Sequence, residues 1–280
     1  MDIHFCEVAM KKIVVLLTAI IIAIIAVACA TNPLTGKTTM AFVDNSQLFP
    51  SSFQQYDEVL NESQVVTGTA AALMVDRVGA RLKEAAEKWL ASEGQSSYLA
   101  GYAWEYHLVQ DDQVNAWCMP GGKIVVYTGI LPVTKDETGL AVVLGHEISH
   151  ALLNHGQQRM SADVLSQLGA SGLNIVTGGR SPETQALAMT AYGVGSQLFG
   201  TLPFSRKHES EADHYGLLLM AIAGYSPDAA VPFWERMAAM GGGGTPEFLS
   251  THPSDATRIN QLRDWIPEAK SKAAQFGVNY

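Results

Sequence analysis

His146-Glu147-Ile148-Ser149-His150 sets two imidazoles four residues apart with a carboxylate beside the first. On a helix, side chains at i and i+4 stand one above the other on the same face. Both histidines can then reach one metal ion, and Glu147 can face a water held at that ion. The spacing H-E-x-x-H is the zinc-peptidase signature, and the chemistry it equips is hydrolysis of an amide. The flanking residues suit a buried helix. Leu140, Val143, Leu144, Ile148, Ala151 and Leu152 recur at three- and four-residue spacing, and Asp136 and Glu137 stand where acids favour a helix start. The spacing predicts a helix from about Asp136 to His155. A core helix with two satisfied histidines is the plainer alternative, and a third ligand is what separates the two.

A catalytic zinc takes three protein ligands and keeps one position open for water. The longer pattern H-E-x-x-H-x-x-G-x-x-H is not met: Leu153 stands at the glycine position and Gly156 at the last histidine, with His155 one residue early. His155 reads as a polar residue near the helix end, where a cation suits the dipole. A Glu from a later helix is the other known source. Ser205 to Asp213 opens a helical stretch running to about Ala223, in which Glu209 and Asp213 are i and i+4. Glu209 can bind the metal, and Asp213 can hydrogen-bond the free nitrogen of a ligand histidine. Taken alone, Glu209, Glu211 and Asp213 would be a solvated acidic first turn; beside His146 and His150 the metal reading is preferred. His208 and His214 are rival ligands without an acidic partner at that spacing.

Stepping outward from the site, the N-terminus reads as a secretory signal. Lys11 and Lys12 precede an apolar run from Ile13 to Ala28, and Ala26-Val27-Ala28 precedes Cys29. The run is shorter than a membrane span. The pattern is complete from Met10, which is the expected start. The domains predicted are residues 1–28 as signal, 29–52 as a lipidated Cys29 and tether, and 53–280 as the hydrolytic unit. The net charge of −9 and the lack of a basic cluster exclude a nucleic-acid partner. Of three cysteines, Cys6 leaves with the signal and Cys29 is acylated, so Cys118 has no internal disulfide partner.

Further elements follow from periodicity and turn residues. A helical pattern covers Phe53 to about Leu90. Strands are predicted at Ala103–Val109, Val114–Met119 and Lys123–Tyr127, the last two around Pro120-Gly121-Gly122. Helices are predicted from about Met160 to Leu173, Glu183 to Phe199, Pro227 to Met240 and Ala256 to Phe276. Breaks are expected at 177–182 and at Gly241 to Gly244. The fold class is α+β, mainly α-helical, with a small sheet.

The chain resembles metallopeptidase family 48, a gluzincin family with a zincin-like fold. The resemblance rests on Asn115-Ala116-Trp117-Cys118-Met119-Pro120-Gly121-Gly122-Lys123-Ile124, Leu144-Gly145-His146-Glu147-Ile148-Ser149-His150, Ser205-Arg206-Lys207-His208-Glu209-Ser210-Glu211-Ala212-Asp213 and Ser250-Thr251-His252-Pro253-Ser254-Asp255-Ala256-Thr257-Arg258-Ile259. Cys29-Ala30-Thr31-Asn32-Pro33-Leu34-Thr35-Gly36 resembles the start of the family's periplasmic lipoprotein members. The chain lacks the transmembrane helices of embedded members, and it ends at Tyr280 without the helical-repeat domain of some periplasmic ones. The resemblance implies one Zn²⁺ per chain on His146, His150 and Glu209, with Glu147 as general base and Asp213 behind a ligand histidine. Arg206 and His252 are candidate donors to the oxyanion. His252, between the glycine run and Pro253, is also a candidate latch on zinc's fourth position. Gly122, Lys123, Ile124 and Val125 resemble the edge strand that holds substrate. The expectation is a zinc metalloendopeptidase acting on misfolded or unassembled cell-envelope proteins. The lipid anchor, with Ala30 after the acylated cysteine, places it at the periplasmic face of the outer membrane. The alternative is a membrane-anchored assembly or binding factor with a latent or structural zinc.

Overall fold

Two short antiparallel strands, β1 (Cys29–Thr31) and β2 (Thr38–Met40), open the chain in the computed structural model, which describes residues 29–177, 202–240, 248–249, 252 and 256–280. Helix α1 (Asn45–Glu62) follows, capped by Asp44, whose side chain accepts from the Ser46 amide. Next come β3 (Val65–Val66) and α2 (Ala70–Ser92), capped by Thr69. Strands β4 (Glu105–Val109), β5 (Ala116–Met119) and β6 (Lys123–Tyr127) complete a sheet ordered β3-β4-β6-β5. Strands β4 and β6 run parallel and the outer pairs antiparallel, which leaves β5 at the edge. The helices after it are α3 (Leu131–Thr134), α4 (Glu137–Leu152), α5 (His155–Thr177), α6 (Leu202–Ile222), α7 (Ala230–Ala239) and α8 (Ala256–Ala274). The fold is α+β and mainly helical, as the sequence predicts.

Helix α4 is the centre of the core. Leu140, Ala141, Val143, Leu144 and Ile148 are fully enclosed, with Val75, Val78 and Leu82 of α2 and Leu219 and Ala221 of α6 in the same cluster. A helix apolar on nearly every side must be covered on every side. Asp136 caps its start by accepting from the Gly139 amide. At its other end the carbonyls lacking helical partners are taken up by side chains: Asn32 and Tyr98 donate to the Leu152 carbonyl, Tyr102 to Ala151 and Gln158 to Leu153. Asn154, at φ 56°, turns the chain sharply from α4 into α5.

The stretch expected as a tether is built into this arrangement instead. Asn32 is buried, its Oδ1 accepting from the Leu34 and Thr35 amides while its Nδ2 reaches the Leu152 carbonyl. Turn residues without periodicity looked like a linker, but Asn-Pro-x-x-Gly here makes a tight turn that caps another helix. Helix α1 also begins eight residues earlier than Phe53, running through Pro50. The helix predicted from Phe53 to Leu90 is two helices, broken by Val65-Val66, which pair with β4. Residues 1–28, the predicted helix from Glu183 to Phe199 and the run Gly241 to Gly244 lie outside the described residues. Among the described residues, no helix is long and apolar enough to cross a membrane.

Candidate metal centre

Helices α4 and α6 meet at two glycines. A Cβ built on Gly216 would stand 2.8 Å from the Gly145 carbonyl carbon and 2.8 Å from the His146 amide nitrogen. The backbones therefore touch one residue before the first histidine of H-E-x-x-H. That contact sets the start of α6, with Glu209 and Asp213, alongside His146 and His150.

One ligating atom from each of His146, His150, Glu209 and His252 lies within 4.8 Å of the others. His150 Nε2 is 3.1 Å from His146 Nε2 and 3.4 Å from Glu209 Oε1; His146 Nε2 is 3.3 Å from Glu209 Oε2. Four donors facing one point at these separations are a chelating set, and imidazole with carboxylate suits zinc among the borderline cations. His252 Nδ1 joins them at 3.2 Å from His146 Nε2 and 3.0 Å from Glu209 Oε2. Glu147 is buried beside the set. Its Oε1 has no hydrogen-bond partner, and His252 Nε2 stands 3.5 Å from it.

The electrostatics fit a cation at that point. Burial disfavours the His146 cation, yet the Asp213 and Glu209 carboxylates outweigh it and push its pKa up to about 9. Burial also opposes charge on Glu209, but hydrogen bonds from His146, His150 and His252 hold its carboxyl well below the usual range. His150 goes the other way: burial, helped by the neighbouring imidazoles, keeps it neutral. Burial raises Glu147, against smaller pulls from His252 and His146. The ring most surrounded by carboxylate thus holds a proton where a divalent ion would supply the positive charge.

The sequence description of peptidase family M48 matches residues 68–266, a span that contains His146, Glu147, His150 and Glu209. The chain belongs to this family. It is 39% identical over 183 residues to the mitochondrial metalloendopeptidase OMA1 of Schizosaccharomyces pombe, covering 63% of this chain and 50% of that one. Against the mitochondrial metalloendopeptidase OMA1 of Saccharomyces cerevisiae it is 35% identical over 210 residues, covering 71% and 56%. Against the β-barrel assembly-enhancing protease of Escherichia coli it is 30% identical over 183 residues, covering 62% and 37%. The chain spans about half the length of the first two relatives. The outer-membrane, periplasmic location expected from the signal and Cys29 is overturned: these higher-identity relatives are mitochondrial proteases. A basic, apolar, small-residue N-terminus followed by cysteine does not by itself fix a compartment.

Within this M48 domain, His146, His150 and Glu209 come together, with Asp213 behind His146. Asp213 Oδ1 is 2.8 Å from His146 Nδ1, on the side of the ring away from the cluster. Neither rival ligand joins the donor set: His208 lines the cleft but stacks on His155, and His214 pairs with Glu268. Arg206 is exposed and lines no part of the cleft, so it is not placed to meet an oxyanion. Arg159 lines the cleft, and a buried cation, Arg258, stands behind the donors; Arg258 lies in the fourth motif, six residues after His252, but its motif gave it no role. Its guanidinium holds Asp213 at 2.6 Å, lies 3.4 Å from the centre of the Trp234 ring and donates to the His252 carbonyl.

The expected substrate strand is also corrected. Strand β6 is flanked by β4 and β5, and Lys123, Ile124 and Val125 are buried, with Lys123 paired to Glu105. Gly122 is a turn residue at φ 88° against Trp104. The strand facing the metal donors is the edge strand β5. Asn115, Ala116, Trp117 and Cys118 line a cleft of about 300 Å³ together with Glu147, His150, Glu209 and His252. The Cys118 backbone beside Glu147 offsets a little of the rise that burial gives its carboxyl. Two adjacent strands of similar composition look alike in sequence; only the pairing order tells edge from interior.

Proposed function

We propose that this M48 domain is a zinc-dependent endopeptidase that cleaves unfolded or unassembled protein segments in extended conformation. The observation that carries the reading is the convergence of His146, His150 and Glu209 with a buried, unbonded Glu147 oxygen beside them. His146, His150 and Glu209 would hold one zinc. Bound there, zinc would supply Lewis acidity, making water acidic enough to lose a proton near neutral pH. Glu147 Oε1 accepts that proton as the carbonyl is attacked, and then returns it to the leaving amine. Burial raises the affinity of Glu147 for the proton, which suits both transfers. Asp213 fixes the tautomer of His146, and Arg258 fixes Asp213.

Strand β5 offers a sheet edge along the cleft. A substrate that adds to it by main-chain hydrogen bonds is read by backbone rather than side chain, which favours unfolded segments over one sequence. His252 supplies a second reading for the resting state. With Nδ1 in the donor set, it is placed to fill the fourth position and keep the enzyme latent until substrate displaces it. A purely structural site would keep that position closed throughout.

The test is metal content and cleavage of an unfolded protein by the full chain and by Glu147→Gln. One zinc per chain in both, with cleavage in the parent only, supports the reading. Equal cleavage by both, or a parent that takes up no zinc, refutes it.

A further inference from the structure

The two ligand histidines of the site are held differently. His146 Nδ1 meets the Asp213 carboxylate directly. His150 Nδ1 meets no carboxylate. It faces the ring of His155, Nδ1 to Nδ1 at 2.9 Å. His155 Nε2 is 3.3 Å from Glu211 Oε2, and Glu211 Oε1 pairs with Lys37 Nζ at 2.5 Å. The His155 ring is buried and lies flat against His208, with ring centres 4.2 Å apart and planes 12° apart.

We propose that His155 and Glu211 form a positioning relay for His150, doing through an interposed imidazole what Asp213 does for His146 by contact. The inference rests on the metallopeptidase reading of the site. His150 Nε2 points into the donor cluster, so ligation needs its lone pair there and its hydrogen on Nδ1. A hydrogen on His150 Nδ1 needs an acceptor, and His155 Nδ1 is the atom in reach. For His155 Nδ1 to accept, the His155 hydrogen must sit on Nε2, where the Glu211 carboxylate receives it. The chain of bonds thus has one consistent direction, from the metal position through two rings to a carboxylate. Stacking on His208 keeps the His155 ring from rotating out of that line.

Glu209, Glu211 and Asp213, which could pass for an acidic first turn, then divide into three tasks. Glu209 faces the metal, Asp213 holds one ligand ring and Glu211 holds the other through His155. Lys37 reaches Glu211 from the turn between β1 and β2, so the hairpin that caps α4 through Asn32 also closes this relay.

The test uses the full zinc-loaded chain. Histidine-selective ¹⁵N NMR should show His155 as the Nε2–H tautomer and His150 as Nδ1–H. In His155→Asn the amide oxygen overlays the lost Nδ1 and can still accept; in His155→Phe the ring stacks but accepts nothing. Zinc affinity by chelator competition should fall about 10- to 100-fold in His155→Phe, the range for loss of an outer partner, and recover in His155→Asn. A cobalt-substituted absorption spectrum altered in the Phe variant and restored in the Asn variant would mark repositioning of the ligand rather than loss of packing. His155 found as Nδ1–H in the parent, or parental zinc affinity in His155→Phe, overturns the relay while leaving the metal site standing. A parent that binds no zinc overturns both. If His155→Phe fails to fold, the tautomers of the parent still decide.

Discussion

Substituting Gly216 by Ala should damage metal binding more than it damages the fold. The new Cβ would lie 2.8 Å from backbone atoms of Gly145 and His146, which are not the yielding end of a side chain. Helices α4 and α6 must part by about 0.6 Å before the contact becomes ordinary at 3.4 Å. Overpacking of this kind costs about 1–3 kcal/mol, and exchanging a mid-helix Gly for Ala returns about 1 kcal/mol in propensity. The net loss of about 0–2 kcal/mol lowers Tm by at most roughly 8 °C for a chain this size. The metal site has no such tolerance. A zinc site needs its ligand distances within about 0.2 Å, and the shift is about three times that, applied between the helix of His146 and His150 and the helix of Glu209. Zinc affinity by chelator competition should therefore weaken at least about tenfold in a protein that still melts cooperatively. Parental affinity in Gly216→Ala would refute the claim that this glycine contact sets the ligand geometry.

Glu147→Gln should keep the fold and the metal while cleavage of an unfolded substrate falls about 10²- to 10⁴-fold, as expected on loss of a general base; a smaller loss assigns the proton transfers to another group. Arg258→Met leaves the buried Asp213 carboxylate without its cation and should destabilise the fold by about 3–5 kcal/mol in chemical denaturation. His252→Ala should raise basal proteolysis if the histidine is a latch; unchanged basal cleavage removes that role. The Glu211 carboxyl is opposed by burial but held down to about 2 by His155 and Lys37. It therefore contributes stability above its unfolded pKa near 4.5 that is lost as pH falls towards 2, and Glu211→Gln should flatten the acid limb of a melting curve over that window.

How much of this was legible before the fold depends on whether a signal was local. The H-E-x-x-H helix, its Asp136 cap and the Glu209–Asp213 pair each sit within one turn or two, where periodicity speaks directly. Arg258 acts from a different helix, through Asp213, and nothing in its own neighbourhood says so. Gly145 and Gly216 did carry a signal: a glycine inside an apolar helical run costs stability unless something approaches closely. Each was visible alone, but their meeting was not. The Asn32 turn failed for the opposite reason. Its residue types correctly predicted a turn, and the mistake was to take a turn for a tether. Edge and interior strands differ only in what pairs beside them, so β5 and β6 could be told apart only in the sheet.

The charges at the site add one consequence for metal uptake. Glu147, Glu209 and Asp213 are buried carboxyls, and Arg258 is the buried guanidinium among them. With all four ionised the cluster is short of positive charge by about what a divalent cation brings. Without the ion, part of the deficit is met by a proton on His146, whose pKa is pushed up to about 9 by Asp213 and Glu209 against the cost of burial. Ligation needs that nitrogen's lone pair, so zinc must displace the proton. Zinc titration at pH 7 should release about one proton from His146, read as the dependence of the calorimetric heat on buffer ionisation enthalpy. The share from His146 should fade as pH rises past about 9, where the ring is already neutral, leaving what a zinc-bound water would release. Asp213→Asn, which removes the carboxylate nearest the ring, should reduce release at pH 7. Uptake with no proton release at pH 7 would mean that His146 is neutral before zinc arrives, and would refute this account of how the charge deficit is met.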